Sequence, residues 1–387
     1  MKVMFIESEG IFGKADIKKA LTEEGNELVL FPFSATYETI SHDAETEKKL
    51  QIFLRRDVPD IVFSLNYLPV ISRVCQAEAV KYVSWLFDSP CFQLYSITAS
   101  NPCNVICVFD KEEYRTFRNA GINTVHYMPL AVDVNRLAPV LSGSAGKGYD
   151  YDVSFVGSLY MEELNYFPQM MSRLPEYTKG YIDALIGAQM KIWGYNFIQE
   201  LLGPVINDLY QAYPVDPEPD GTEPREFFYA QYVINRRITT MERLELLMAV
   251  ASEYEVELFT YLKDFSIPNV RNHGPVDYFR EMPLVFRKSR INLNISGRLI
   301  KSGIPLRAFD VMGAGGFLLS NYQADLLDLF VPGEDFVYFE SKEDMMEKIG
   351  YYLSHGEERQ MIAKNGYDKV AAKHTYRHRI REMLSIL

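Results

Sequence analysis

The segment RLIKSGIPLRAFDVMGAGGFLLSN, residues 298–321, predicts a helix that is followed at once by a buried strand. We predict that the helix begins near Pro305, because a proline at the first helical position loses no hydrogen bond. The strand is predicted over 317–320, and another apolar strand precedes the segment at 291–295. The glycines that end the helix and let it pack closely on the strand are Gly313, Gly315 and Gly316. We therefore predict one parallel β-α-β unit.

The same alternation of short apolar runs and helical patterns extends in both directions from this unit. Toward the N-terminus, strands are predicted at 3–6, 27–31, 61–65, 82–87, 105–109 and 125–128. Closer to the segment, strands are predicted at 152–157, 257–261 and 336–339. Strands that alternate with helices are typical of parallel, doubly wound sheets, so the chain is predicted to be an α/β protein.

Residues 139–150, PVLSGSAGKGYD, are small, polar and rich in glycine, which is typical of a flexible linker. They divide the chain into an N-terminal Rossmann-like domain, 1–138, and a C-terminal one, 151–375. Helical periodicity from about 160 to 250 predicts a helical insertion in the second domain, and 376–387 predict a terminal helix that crosses back toward the first. We expect the carboxyl ends of both sheets to face one cleft, with one substrate bound by each domain.

The composition argues against several classes of protein. With 387 residues, of which 48% are hydrophobic, the chain has a globular rather than a disordered composition. Its formal net charge of −12 argues against nucleic acid as a partner, because an acidic protein gains nothing from counterion release. We predict no membrane span and no signal peptide. The four cysteines have no paired C-x-x-C spacing and are interpreted as reduced thiols, so we expect a cytoplasmic protein.

The turn before the predicted helix is the first candidate binding site. This turn consists of Ser302, Gly303 and Ile304. Exposed N–H groups and a partial positive charge at a helix N-terminus can bind phosphate, and Lys301 and Arg307 add charge-assisted hydrogen bonds to a diphosphate. Asp310 lies three residues after Arg307, where its carboxylate can accept both hydroxyls of a ribose. A solvated Arg–Asp pair beside a glycine-rich turn that binds nothing remains the alternative.

Gly157 and Ser158 are the second candidate binding site. They end the first strand of the second domain and, by the carboxyl-end rule for parallel sheets, are expected to face the cleft. A small residue at this position permits the close approach of phosphate oxygens.

Carboxylates at strand ends of the first domain are candidates for a general base. Glu7 and Glu9 follow the first strand, and Asp88 follows the strand at 82–87. A base that takes a proton from an acceptor hydroxyl needs hydrogen-bond reach and a pKa raised by a half-buried cleft. Alternatively, Asp88 forms the turn before a Ser-Pro pair, and Glu7 and Glu9 are solvated.

Four stretches of the sequence carry a resemblance to a known family: 302–376, YVSWLFDSP at 82–90, HYMPLAVD at 126–133 and YDVSFVGSLY at 151–160. They are similar to the corresponding parts of the CgeB-like glycosyltransferases of the spore maturation protein type, which have the GT-B fold. The resemblance covers most of the chain except the insertion. It implies a nucleotide-diphosphate sugar, in the first instance a UDP-sugar, bound by the second domain, and an acceptor glycan or protein bound by the first.

The resemblance also implies roles for individual residues. Related retaining GT-B enzymes have two glutamates, separated by seven residues, in the loop and helix that correspond to the region around Pro305. The alignment puts Ser302 at the position of the first glutamate and Asp310 at the position of the second. Ribose binding is therefore implied, whereas the loss of the first glutamate argues against a retaining mechanism. Base recognition in this fold comes from a loop that here spans 270–276, where backbone groups can pair with a uracil-like edge. The residues of this loop that we single out are His273, Gly274 and Pro275. A tight turn built by the Gly-Pro pair explains them equally well.

The sequence has no histidine or cysteine cluster with metal-ligand spacing. Its Asp-x-Asp pair, Asp150 and Asp152, enters a strand at the amino end, away from the cleft. We therefore expect no metal ion, and no cofactor beyond a nucleotide-diphosphate sugar as co-substrate. The predicted function is the transfer of a hexose from that donor to an acceptor hydroxyl. A nucleotide-sugar epimerase or hydrolase and a non-catalytic nucleotide-sugar-binding module remain as alternatives, because a fold alone does not decide function.

Overall fold

The computed structural model describes residues 1–8, 10, 12–34, 40–144, 148–161, 166–217 and 220–387. The chain forms two compact units. The first contains Met1–Ala131, Asp216–Pro224 and His374–Leu387, and the second contains Val132–Val215 and Arg225–Lys373. Each unit is built around one six-stranded parallel sheet, as the alternation of strands and helices predicts.

The strands follow the predicted order along the chain. They are β1 (Lys2–Glu7), β2 (Glu27–Pro32), β3 (Ile61–Leu65), β4 (Lys81–Trp85), β5 (Asn104–Val108), β6 (Val125–Tyr127), β7 (Tyr151–Val156), β8 (Val256–Phe259), β9 (Val270–Asn272), β10 (Ser289–Asn294), β11 (Leu318–Asn321) and β12 (Val337–Phe339).

The α-helices lie between these strands and at the C-terminus. They are α1 (Lys14–Glu23), α2 (Ala44–Asp57), α3 (Pro69–Ala77), α4 (Lys111–Asn119), α5 (Val134–Leu141), α6 (Tyr166–Arg173), α7 (Glu176–Gln189), α8 (Ile206–Ala212), α9 (Arg225–Phe228), α10 (Asn235–Ala251), α11 (Met282–Lys288), α12 (Leu306–Gly313), α13 (Ala324–Leu329), α14 (Lys342–Ser354), α15 (Gly356–Lys373) and α16 (Tyr376–Leu384). None of the helices in the described ranges is both long and apolar enough to cross a lipid bilayer.

The sheet of the first unit has the strand order β2-β1-β3-β4-β5-β6. Its strands β3 and β5 are buried at every position, which is the pattern of a parallel sheet covered by helices on both faces. The direction of winding reverses between β1 and β3, because β2 lies on one side of β1 and every later strand lies on the other. Ligands of open parallel sheets bind at the carboxyl ends of the strands beside such a reversal.

Two segments that are distant in sequence complete the first unit. In 216–224, Asp220 forms an ion pair with Arg73 at 2.7 Å and accepts a hydrogen bond from the Ser96 hydroxyl at 2.6 Å. The terminal helix α16 packs against α1, where Glu24 accepts hydrogen bonds from Arg377 at 2.8 Å and Arg381 at 2.7 Å. The sequence analysis assigned 216–224 to the insertion of the second domain, whereas in the structure this segment belongs to the first unit.

The first unit ends before the segment that the sequence analysis identified as a linker, 139–150. Its N-terminal segment ends at Ala131, and α5 belongs to the second unit, where it packs against α11. The guanidinium of Arg136 on α5 lies 5.1 Å from the ring centre of Tyr278 and 5.2 Å from that of Phe279. These contacts tie the beginning of the predicted linker to the second unit.

The sheet of the second unit has the strand order β9-β8-β7-β10-β11-β12. The winding reverses between β7 and β10, so the carboxyl ends of these two strands mark the expected ligand site of this unit. The sequence analysis predicted a loop over 270–276, and this was wrong for its first part, because β9 occupies Val270–Asn272. This short edge strand has no fully buried side chain, so its sequence lacks the apolar run by which the other strands are predicted.

Helices α6 to α10 form the predicted insertion between β7 and β8. They have a hydrophobic core of their own, which includes Ile182, Leu209 and Ile234. Helix α10 connects this core to the sheet through a buried ion pair, in which Arg298 of the loop after β10 donates to both carboxylate oxygens of Glu242. Because both groups are buried, losing either one would leave an uncompensated charge inside the protein.

The close packing predicted for the glycines after α12 is confirmed at Gly316. A Cβ atom at this position would lie 2.7 Å from the carbonyl oxygen of Phe286 and 2.7 Å from Nδ2 of Asn292. The carbonyl belongs to the backbone of α11 and cannot turn away. The passage from α12 to β11 therefore requires a residue without a side chain.

We predict that Gly316→Ala destabilises the protein by about 1–3 kcal/mol, because the added methyl group overpacks a rigid site. Gly187→Ala is the matched control: Gly187 lies inside α7 with no heavy atom within 4 Å of an added Cβ, and alanine there should stabilise by about 0.5–1 kcal/mol. The measurement is the midpoint of thermal unfolding of both variants. Equal midpoints for the two would contradict the close packing at Gly316.

Candidate functional site

The candidate site of the second unit lies where its sheet reverses direction. Gly157 directly follows β7, and Asn294 is the last residue of β10. Helix α12 begins shortly after β10, so its first turn lies at the same carboxyl edge of the sheet. This arrangement brings together two of the residues that the sequence analysis selected, Gly157 and Arg307.

Arg307 is held at this edge by three neighbours. Its Nη1 donates a hydrogen bond of 3.0 Å to Oδ1 of Asn294, and its guanidinium carbon lies 5.1 Å from the ring centre of Phe155 on β7. A Cβ atom at Gly157 would lie 2.5 Å from Nη2 of Arg307, so any side chain there would displace the guanidinium from its present position. The two predicted site residues are thus in direct contact.

The charge of Arg307 is not neutralised by a carboxylate. Among the described residues, no Asp or Glu oxygen lies within ion-pair distance of its guanidinium, although Arg243 lies close enough to repel it. Burial, followed by this repulsion, lowers the pKa of Arg307 to about 9. The guanidinium still carries its proton at pH 7, so this edge of the sheet presents a half-buried positive charge that attracts an anion.

Arg243 is a site residue that the sequence analysis missed. From α10 it donates to the Ser158 carbonyl oxygen after β7, and its Nη2 donates at 2.6 Å to the Ile295 carbonyl oxygen after β10. Its guanidinium carbon lies 5.0 Å from the ring centre of Tyr160. Arg243 therefore ties together the ends of the two strands that flank the reversal, and 85 residues of sequence separate it from Ser158.

The turn before α12 is mostly buried. Ser302, Gly303 and Ile304 are buried, whereas Lys301 is exposed. The carbonyl oxygen of Ser302 accepts the N–H of Asp325 at 3.1 Å, which ties the turn to the start of α13. Pro305 is the N-cap of α12 and offers no side-chain acceptor to the N–H groups of the first helical turn. These N–H groups add to the positive potential around Arg307.

Asp310, the predicted ribose ligand, is only 5% exposed. Its Oδ1 accepts a hydrogen bond of 3.2 Å from the hydroxyl of Tyr278, and its negative charge stabilises the protonated form of Arg307. The carboxylate thus helps to hold α12 in place beside the segment before α11. Its role toward a ribose stays a prediction.

The second predicted binding segment lies at a different part of the sheet. Nε2 of His273 is hydrogen-bonded to the buried Glu257, and its ring stacks on Phe259 at a ring distance of 4.6 Å. The N–H of Gly274 is donated to Oδ1 of Asn272 at 2.9 Å, and Pro275 is exposed. Since His273 and Gly274 already bond within the protein, the structure favours the tight-turn interpretation of these residues. The segment follows β9, which is separated from β7 by β8, about 10 Å across the sheet.

In the first unit, Asp88 follows β4 and is contacted by a residue at the end of β3. Nδ2 of Asn66 donates a hydrogen bond of 2.6 Å to Oδ2 of Asp88. Although Asp88 as a residue is exposed, the protein atoms around its carboxyl group desolvate it and raise its pKa, an effect that the Asn66 hydrogen bond opposes. A raised pKa is the property that a carboxylate base requires near neutral pH.

The two other base candidates differ from Asp88. Glu7 ends β1 and forms a hydrogen-bonded ion pair with Lys18 of α1, which lowers its pKa. A carboxylate with a lowered pKa and a cationic partner is a weaker proton acceptor, so the expectation of a raised pKa is wrong for Glu7. Glu9 lies outside the described residues. Of the three candidates, Asp88 best fits the electrostatic requirement.

No group of three or more His, Cys, Asp or Glu side chains in the described ranges is arranged to hold a metal ion. Asp150 and Asp152, the Asp-x-Asp pair, lie at the amino end of β7. They pair with Lys288 at 2.6 Å and Arg290 at 3.3 Å. Both carboxylates are thus engaged by cations at the edge of the sheet opposite to Arg307.

Residues 236–385 match a protein-family model described as "Glycosyl transferase-like". No curated protein sequence matches the chain. Solved structures with a similar fold include a glycosyltransferase from Rickettsia africae ESF-5, with 9% identity, a TM-score of 0.54 and coverage of 100% of this chain and 97% of that chain. HepE from Anabaena in complex with UDP and glucose has 13% identity and a TM-score of 0.52 over 100% of both chains. Sucrose-phosphate synthase from Thermosynechococcus elongatus has 11% identity, a TM-score of 0.54 and coverage of 100% and 98%.

The structural likeness confirms the predicted fold class, two Rossmann-like domains of the GT-B type with parallel six-stranded sheets. The family match over 236–385, which includes Arg307 and Arg243, confirms the predicted enzyme class. The chain has the GT-B fold, and its residues 236–385 are similar to glycosyltransferases.

We predict that Arg307→Ala weakens the binding of inorganic pyrophosphate roughly 10- to 100-fold, because one charge-assisted hydrogen bond to the anion is lost. Arg290→Ala is the matched control. Arg290 lies at the amino end of β10 and pairs with Asp152, so its removal should leave the affinity unchanged. Isothermal titration calorimetry measures both affinities. Equal losses in the two variants would show that net charge, and not the site at Arg307, governs the binding.

Proposed function

We propose that the chain transfers a hexose from a nucleotide-diphosphate sugar, in the first instance a UDP-sugar, to a hydroxyl group of an acceptor. The observation that supports this proposal most is the half-buried cation of Arg307 beside Gly157, at the reversal point of the sheet in the second unit. A diphosphate is the kind of group that such an un-neutralised cation binds at a helix start. HepE, whose fold is similar, has been crystallised with UDP-glucose.

In this proposal the second unit binds the donor. Arg307 and the first turn of α12 bind the diphosphate, and Gly157, which lacks a side chain, makes room for the Arg307 guanidinium. Arg243 keeps the ends of β7 and β10 in place around it. Asp310 is proposed as the ribose ligand, in a position where Tyr278 already orients one of its oxygens.

The first unit supplies the base. The carboxylate of Asp88 takes the proton of the acceptor hydroxyl, and the acceptor oxygen forms a bond to the anomeric carbon of the sugar. The bond between that carbon and the β-phosphate oxygen breaks, and its electron pair leaves with the nucleoside diphosphate. Arg307 stabilises the charge that develops on the leaving diphosphate, so the transfer needs no redox partner.

We also propose that the reaction needs no divalent metal ion, because the leaving charge is balanced by Arg307 and the start of α12. The narrower proposals are membership of the CgeB-like glycosyltransferases, an acceptor glycan or protein, and a cytoplasmic location. Full activity in the presence of EDTA supports metal independence, and loss of activity that Mg²⁺ or Mn²⁺ restores would contradict it.

Incubation with a panel of UDP-sugars and of mono- and oligosaccharide or hydroxyl-bearing peptide acceptors tests the proposal. Release of free UDP that depends on an acceptor is expected for a transferase. Release of UDP in water alone would indicate a hydrolase. Conversion of the donor sugar without release of UDP would indicate an epimerase, and binding of the donor without turnover would indicate a binding module.

We predict that Asp88→Asn lowers turnover 10²- to 10⁴-fold, the usual contribution of a general base, and leaves the affinity for UDP unchanged. Because the pKa of Asp88 is raised, the wild-type rate should fall on the acid side at a higher pH than an ordinary aspartate would give. The measurements are the pH profile of kcat and titration calorimetry with UDP. Loss of turnover in Glu7→Gln, with full activity in Asp88→Asn, would move the base to Glu7.

A further inference from the structure

Asn66 follows β3 and connects the end of that strand to the end of β4. Its backbone is in the left-handed region with a φ of 57°, a conformation that asparagine and aspartate adopt more readily than other side chains. Its N–H donates to the Trp85 carbonyl oxygen at 2.9 Å, and its own carbonyl oxygen accepts from the Ser64 hydroxyl at 2.7 Å. The position of Asn66 is therefore fixed by both strands.

The side-chain amide of Asn66 contacts the segment after β4 in two ways. Its Oδ1 accepts the backbone N–H of Phe87 at 2.8 Å and that of Asp88 at 3.3 Å. Its Nδ2 donates to Oδ2 of the Asp88 carboxylate at 2.6 Å. The amide thus holds both the backbone and the carboxyl group of Asp88.

We infer that Asn66 is the positioning residue of the base: its Nδ2–H binds one carboxylate oxygen of Asp88 and leaves the other oxygen to accept the proton of the acceptor hydroxyl. This inference rests on the proposed function, in which Asp88 is the base. In the described part of the chain, Oδ1 of Asp88 accepts no hydrogen bond. With one oxygen fixed, the carboxyl group cannot rotate freely, and the unbound oxygen points in one direction.

The charges around Asp88 favour a neutral partner for this task. No Lys, Arg or His of the described residues forms an ion pair with Asp88. The neighbouring titratable groups are Cys91, Glu113 and Asp110. Glu113 accepts a hydrogen bond from the N–H of Cys91 at 2.9 Å, and Asp110 accepts one from the Ser89 hydroxyl at 3.4 Å. None of these groups is a cation. No neighbouring charge among them therefore lowers the pKa of Asp88 as Lys18 lowers that of Glu7. A neutral amide orients the carboxylate at a smaller loss of basicity than a cation would cause.

The alternative is that Asn66 only builds the turn, through its Oδ1 and the two backbone N–H groups. Asn66→Asp separates the two roles. An aspartate adopts the same backbone conformation and keeps an acceptor oxygen for both N–H groups, but it replaces the Nδ2–H donor by an oxygen that faces Asp88. Asn66→Ala removes both roles. Asn119→Asp, at an exposed end of α4 in the same unit, is the matched control for the added charge.

We expect Asn66→Asp to lower kcat roughly 10- to 100-fold at neutral pH, as for the loss of one hydrogen bond to a charged group. The thermal midpoint should stay close to that of the wild type, and the acid limb of the pH profile should move to higher pH because two carboxyl groups now share the site. The carboxyl ¹³C shift of Asp88, assigned by its absence in Asp88→Asn, should titrate at a correspondingly higher pH. Asn119→Asp should change none of these quantities.

Wild-type kcat and an unchanged titration of Asp88 in Asn66→Asp would overturn the inference. Equal losses of kcat in the aspartate and alanine variants, with Asp88 titrating as in the wild type, would also overturn it, since only the turn would then matter. Acceptor-dependent UDP release by the wild type distinguishes this failure from that of the proposed function. If the wild type releases UDP, the inference alone is at fault; if it turns over no UDP-sugar, the proposed function fails.

Discussion

The positive charge of Arg307 is held half-buried, with no carboxylate of the described residues in ion-pair contact, and the proposed donor site depends on this constraint. A buried arginine is ordinarily paired, and the same unit shows this in Arg298, whose guanidinium donates to both oxygens of Glu242. Arg307 has instead an amide oxygen, an aromatic ring and a glycine as neighbours. Its contacts are therefore with neutral groups, the charge of Asp310 acts on it only from a distance, and burial and the repulsion by Arg243 lower its pKa.

The surroundings of Arg307 are organised to keep this charge in place. Gly157 gives the guanidinium room, Asn294 fixes one of its nitrogens, and Arg243 ties the two strand ends together through their carbonyl oxygens. The ring centre of Phe155 lies 5.1 Å from the guanidinium carbon of Arg307 and 5.4 Å from that of Arg243, so one ring stabilises two cations. Two cations near each other repel, and a bound diphosphate would relieve that repulsion.

The first unit shows the opposite case, a carboxylate whose pKa is raised by its surroundings. Glu7 and Asp88 both lie at carboxyl ends of the sheet, but Lys18 lowers the pKa of Glu7, whereas desolvation raises that of Asp88. The difference follows from the partner: an ammonium group stabilises the ionised form much more strongly than the amide of Asn66 does. Two carboxylates at equivalent strand ends thus acquire different proton affinities from their neighbours.

The sequence by itself determined the alternation of strands and helices, the two sheets, the insertion and the glycines at 157 and 316. These features depend on local periodicity and backbone sterics, which neighbouring residues set. It also led to Arg307, which lies in the first turn of a predicted helix, and to Asp88, which follows a predicted strand. Only the tertiary structure decided the partners: Arg243 and Ser158 are 85 residues apart, and Asn66 and Asp88 are 22 apart. It likewise revealed that 216–224 joins the first unit and that β9 exists as an edge strand. Contacts between residues so far apart in the chain depend on how the strands are ordered in each sheet, which no local pattern records.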